Sequence, residues 1–153
     1  MTVPNSAPVR TTVTATWRSG VCFEVHGTTG APILIDGAKQ AGMGPVDTLL
    51  GALAACAGPD VIEILAKRRT PVSRLEIVVT AERRGSAPKR VLRAQLEIRI
   101  DGPSIEEVHA ERAIELSIEK YCSVASSLAR DIELSSLLVL NGVAHAPRVR
   151  HIE

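Results

Sequence analysis

Val9, Val13, Ala15 and Trp17 alternate with Arg10, Thr12, Thr14 and Thr16, with Thr11 out of phase, and this two-residue period predicts a half-buried strand over residues 9–17. After Ser19-Gly20 a second strand is expected over Val21 to His26, with Val21, Phe23 and Val25 on one face. A third follows the Gly27 to Gly30 turn at Pro32-Ile33-Leu34-Ile35. Asp36 to Gly44 holds three glycines and no period, so it reads as a loop. From Pro45 the period becomes helical: Asp47 stands in the first turn, apolar and small residues run on all sides through Leu65, and Thr70-Pro71 closes the element. A helix apolar all round must be covered all round, which makes it the central element of the core and is one motive for expecting a dimer.

Leu75, Ile77, Val79 and Ala81, then Leu92, Ala94, Leu96, Ile98 and Ile100, predict a hairpin of two long strands. Ser104-Ile105-Glu106-Glu107 reads as a capping box opening an amphipathic helix through Val108, Ala113, Leu116 and Ile118 to about Lys120. A shorter helix is expected over Ser123 to Arg130 and a last strand over Ile132 to Leu140. Residues 1–8 and 146–153 are expected to be loose tails of a single domain spanning 1–153. Strands grouped apart from helices indicate an α+β fold with antiparallel sheet.

Composition narrows the function. In 153 residues, 18 basic side chains face 17 acidic ones, for a net charge of +1, and there is one Trp, one Tyr and one Phe. Nucleic-acid binding, which wants a basic stripe and stacking platforms, is not expected. The start, MTVPNSAPVR, has no apolar run of signal-peptide type, and the longest apolar stretch, Thr48 to Pro59, is shorter than the roughly 20 residues that span a bilayer. A cytoplasmic protein without membrane partners is expected. His26, His109, His145 and His151 are scattered without ligand spacing, no G-x-S-x-G elbow occurs, and no metal or cofactor is expected.

The cysteines hold the remaining chemistry. On the residues alone, Cys22 reads as an incidental strand side chain, and Cys56, among alanines, as inert packing. Cys122, immediately ahead of Ser123, reads equally as a neighbour of a helix cap and as a thiol whose ionisation free backbone amides favour.

Pro45-Val46-Asp47-Thr48-Leu49-Leu50-Gly51-Ala52-Leu53-Ala54-Ala55-Cys56, continued by Asp60 to Leu65, resembles the first cysteine motif of the osmotically inducible protein C and organic hydroperoxide resistance (OsmC/Ohr) family. Glu119-Lys120-Tyr121-Cys122-Ser123-Val124 resembles its second cysteine site, and Trp17-Arg18-Ser19-Gly20 with Phe23 its opening strands. The resemblance covers nearly the whole chain and is nearest the OsmC-like branch.

The resemblance implies antiparallel sheets around a buried central helix, an intertwined homodimer, and a thiol peroxidase acting on a small-molecule hydroperoxide. Cys56 is then the peroxidatic nucleophile, Cys122 the resolving thiol, and an external dithiol, lipoyl-type in relatives, the reductant. An ordinary cysteine thiol, of pKa about 8.5, is only a few per cent thiolate at pH 7, so the chemistry asks for a cation. One charge at ~4 Å with an effective dielectric of ~20 supplies about 4 kcal/mol, or ~3 pKa units. Arg18 matches the position of the family's arginine, and Asp47 would orient it by a bidentate pair; read plainly, they are a solvated strand-end residue and a first-turn acid. Three features depart from the family, one being a short loop between the third strand and the helix that leaves no room for an arginine-bearing lid. The acid stands one residue later than usual, at Asp47, which turns it by about 100° around the helix. Pro59 is expected to kink the helix just after Cys56. The alternative to a peroxidase is a noncatalytic small-molecule-binding or redox-sensing member of the same fold.

Overall fold

The structure, a computed structural model, describes residues 7–152; of the expected tails, residues 1–6 and Glu153 lie outside them. The chain resolves into two compact units, Met1–Thr48 and Leu49–Glu153.

The first unit is a three-stranded antiparallel sheet of β1 (Thr14–Ser19), β2 (Cys22–His26) and β3 (Ile33–Asp36) in that order, Trp17 facing Phe23 and Phe23 facing Ile35. A bulge between Trp17 and Ser19 and Gly20 at φ +50° turn β1 into β2, where the Trp17 indole N–H donates to the Gly20 carbonyl at 3.0 Å. The first strand is shorter and wetter than its alternation predicts. It begins at Thr14, leaving Val9 outside it 91% exposed, and all six of its residues are exposed. Period-2 patterning marks a face able to be buried; it does not supply the second layer.

The loop from Asp36 is ordered by one buried carboxylate, which accepts the amides of Ala38, Gln40 and Ala41 at 2.9–3.0 Å. Gly42 is obligatory there, since a Cβ would stand 2.2 Å from the Leu34 carbonyl oxygen. The loop ends at Gly44, whose carbonyl accepts the amide and hydroxyl of Thr48, both at 2.9 Å, while Asp47 accepts the Gly44 amide at 3.3 Å. Proline, which lacks the N–H that a first helical residue leaves unused, follows directly and opens α1 (Pro45–Lys67).

The second unit packs helices on a five-stranded sheet. Strands β4 (Arg74–Arg83) and β5 (Val91–Asp101) form the expected antiparallel hairpin. The chain then runs through α2 (Glu107–Leu116), a π-helical turn (Ser117–Tyr121) and α3 (Ser123–Ser126) into β6 (Glu133–Leu140). Strand β6 lies parallel to β5, so antiparallel pairing is not universal here: residues 101–132 form a crossover. Two short strands, β7 (Val143–Ala144) and β8 (Arg148–Arg150), pair with the two ends of β6. Leu96, Ile98 and Ile100 of β5, Leu134 and Leu138 of β6, Ile114 of α2 and Ile118 of the π-turn form a core from which water is excluded.

Helix α1 contributes the seam Leu53, Ala57, Val61 and Leu65, spaced one turn apart, and beside it Gly58, whose Cβ would just touch Leu75 and Ile77 of β4. It is covered on this face alone: Leu49 and Ile62 remain 42% and 45% exposed. Its helical run continues through Pro59. With 23 residues it is long and apolar enough to cross a membrane by length and composition, beyond what the apolar stretch suggests; its buried seam and its Asp60 and Glu63 give it the character of a core helix.

Three further expectations are corrected. The capping box does not form: α2 starts at Glu107, and its cap residue, Glu106, makes no side-chain capping bond. Ser104 belongs instead to a turn that buries Ile105 beside Gly102, where a Cβ would come within 2.4 Å of Ile105 Cδ1. The helix after Cys122 stops at Ser126, with the Ser127 hydroxyl donating to the Ser123 carbonyl at 2.7 Å, a local bond that competes with helix propagation. The tail expected to be loose carries β8, and Arg150 is buried.

Candidate functional site

Two of the four candidate side chains are brought together. Cys56 lies half-buried on α1, one residue before seam residue Ala57; Cys122 is completely buried at the junction of the π-turn and α3. They come from segments far apart in the chain, yet Cys56 is near enough to Cys122 to raise the pKa of its thiol.

The π-turn accounts for the placement of Cys122. Its amide donates five residues back to the Ser117 carbonyl at 2.7 Å, closing a wider ring than an α-helical bond. The Ser117 hydroxyl, fully buried, donates to the Ala57 carbonyl of α1 at 2.8 Å. Cys122 then caps α3, its sulfur accepting the Ala125 amide at 3.3 Å.

Burial pushes the Cys122 thiol up to about 11, and the neighbouring Cys56 sulfur acts in the same direction. The amides of Ala125 and Val124 pull the other way and lose. The reading in which a helix start favours a Cys122 thiolate is therefore overturned: α3 is a single turn with little dipole to offer, and desolvation of an anion in the core outweighs it. Cys122 holds its proton at neutral pH.

Arg18 and Asp47 belong to the first unit. Arg18 is ion-paired with Glu24 across the β1–β2 hairpin, and the same carboxylate oxygen meets His26 Nε2 at 2.7 Å. These partners hold the Glu24 carboxyl below its ordinary range, the Arg18 hydrogen bond first. Asp47 is ion-paired with Lys39 Nζ at 2.6 Å. Glu24 and Lys39 as partners are absent from the sequence reading; the i, i+2 spacing of Glu24 and His26 on one strand face was the available signal for that pair. Cys22, half-buried, pairs in register with Ser19 and Asp36.

A cavity of about 510 Å³ opens between the end of α1 and α2, with Asp60, Ile64, Arg68, His109, Leu116 and Tyr121 in its walls; neither Cys56 nor Cys122 lines it. Asp60 stands one turn beyond Cys56, and Tyr121 directly precedes Cys122. The Arg68 guanidinium donates to His109 Nε2 at 2.7 Å, which leaves that ring nitrogen as an acceptor.

Residues 37–136 match the family described as OsmC-like protein. The chain is 33% identical over 120 residues, 78% of its length, to Protein YhfA of Escherichia coli K12, and covers 90% of that protein. Among solved structures, an OsmC-like protein from Mycoplasma pneumoniae superposes with a TM-score of 0.76 at 18% identity, covering 88% of this chain and 99% of that one. The organic hydroperoxide resistance protein OhrB of Bacillus subtilis superposes at 0.58 and 14% identity, covering 85% and 98%. At such identities the likeness is one of fold.

Proposed function

We propose that this chain, which belongs to the OsmC family, is a thiol-dependent peroxidase that reduces organic hydroperoxides through Cys56 and Cys122. One observation supports the reading: two cysteines 66 positions apart in sequence, on different helical segments, lie near enough for one to raise the pKa of the other, with Cys122 shielded and protonated and Cys56 half-open.

The thiolate of Cys56 attacks the outer peroxide oxygen; the O–O bond breaks, the alkoxide takes a proton and leaves as alcohol, and Cys56 becomes a sulfenic acid. The Cys122 sulfur then attacks the sulfenic sulfur, and hydroxide leaves with the Cys122 proton as water, giving the disulfide. Two electrons have passed from the thiols to the peroxide. A small external dithiol, of lipoyl type, restores both thiols by exchange and is itself oxidised to a disulfide. Arg18 supplies the cation that favours the Cys56 thiolate, with Asp47 as its orienting acid; for this Arg18 exchanges Glu24 for the sulfur and the peroxide. The working unit is a homodimer acting in the cytoplasm, without a bound cofactor.

Stopped-flow oxidation with cumene hydroperoxide and with hydrogen peroxide tests the reading. Wild type is expected to lose two thiols per chain, faster with the organic peroxide, and to regain them with dihydrolipoamide, while Cys56→Ser consumes none. A wild type that consumes no peroxide leaves the noncatalytic reading, in which the cavity between α1 and α2 holds a small molecule.

A further inference from the structure

The geometry points to Ser117 as a positioning residue that sets the register between the two sulfurs and so governs disulfide closure, a role that rests on the peroxidase reading for its function but not for its geometry. Ser117 is engaged twice. Its backbone carbonyl receives the Cys122 amide at 2.7 Å, and its hydroxyl donates to the carbonyl of Ala57, the residue after Cys56, at 2.8 Å. One side chain thus fastens the segment bearing one thiol to the helix bearing the other.

Both ends of the tether are buried, and Ser117 has no exposed surface, so no water competes for the bond. The Ala57 carbonyl already faces the Val61 amide within α1 and does not require the serine for satisfaction. A π-turn is a rare way to carry a helix forward and is commonly found at functional sites; here it inserts one extra residue and rotates Cys122 inward. The hydroxyl adds a directional bond to a turn already packed in the core by Ile118 and Cys122.

In the proposed reaction, the first step takes place between Cys56 and the peroxide, with Arg18 as the cation, and Ser117 has no part in it. The second forms the S–S bond, with water leaving, and demands that the two sulfurs meet within narrow geometric limits. Loss of the tether should therefore split the two steps.

The test uses full-length protein carrying Cys22→Ser, so that only the two thiols of interest remain. In Ser117→Ala, sulfenic acid formation, followed with cumene hydroperoxide and by dimedone trapping, is expected within about twofold of the parent, while disulfide closure slows at least tenfold and trapped sulfenate accumulates. Ser117→Thr, which keeps the donor, should close near the parental rate and serves where Ser117→Ala folds poorly. A second arm replaces the peroxide with diamide, an azodicarboxamide that oxidises paired thiols directly. If the parent bridges with diamide but consumes no peroxide, the peroxidase reading fails, and the positioning role then stands or falls on whether Ser117→Ala bridges with diamide at least tenfold more slowly than the parent. Closure in Ser117→Ala as fast as in the parent with both oxidants, or in Ser117→Thr as slow as in Ser117→Ala, overturns the assignment.

Discussion

Cys122 links the redox step to pH. Folding holds its proton up to about pH 11, above the range of an ordinary thiol, so the native chain binds a proton that the unfolded chain releases. This contribution to stability is complete below about pH 9, falls as pH rises toward 11 and is gone above it. Urea midpoints between pH 8 and 11.5 should fall more steeply for wild type than for Cys122→Ser; parallel curves would remove the buried thiol as the cause. In the proposed reaction the same proton slows resolution. Disulfide closure should quicken about tenfold per pH unit from pH 7 to 9, following the thiolate fraction, as read by quenched-flow alkylation. At the level of single residues, Cys56 and Cys122 were legible through the motifs around them. Ser117 was not, because nothing in Leu116-Ser117-Ile118 announces a π-turn or a bond to α1.

Among the elements, α1 divides into a covered seam and an open face, and substitutions should separate the two. Leu53→Ala should cost about 2–5 kcal/mol in urea denaturation, as for other large-to-small changes in a core, whereas Leu49→Ala on the open face should cost the single chain far less. The other deep anchorage is at β8. Arg150 Nη2 donates to Glu111 at 2.7 Å and its Nε to the Ser136 hydroxyl at 2.7 Å, both ends of the ion pair being buried, with Arg148 at 3.3 Å from the same carboxylate. Glu111→Ala strands a buried guanidinium and should cost about 3–5 kcal/mol by the same measurement, with β8 released. The start of α1 and the β4–β5 hairpin could be read from the chain because proline placement, turn residues and alternation are local. The last strand could not: Arg-Val-Arg looks like solvent-facing sequence until Glu111, far away in the chain, supplies the partner that lets Arg150 go inside. The parallel β5–β6 pairing likewise depends on which way a crossover returns, which no local period encodes.

For the molecule as a whole, the open apolar surface is the outstanding quantity. Ile62 on α1, and Trp17, Ile33 and Met43 in the first unit, are each 45–63% exposed. The sequence expectation that α1 is covered on every side is met on one side by its own chain; in the proposed homodimer a second copy covers more of it. Sedimentation at micromolar concentration should give a dimer, and Ile62→Lys should shift it toward monomer; a monomeric wild type would contradict the assembly. Because β5 and β6 run parallel, Cys122, the proposed resolving thiol, rides on the connection between them, and the pairing of residues 93–100 with 133–140 is a distant contact of the kind that forms slowly. During synthesis Cys22 and Cys56 emerge first, so an oxidant meeting the nascent chain finds those two sulfurs before the proposed Cys56–Cys122 bridge could form. Oxidative damage to newly made protein and turnover by mature protein would then leave different cross-links, and the ratio of the two would record when in its life each chain met the oxidant.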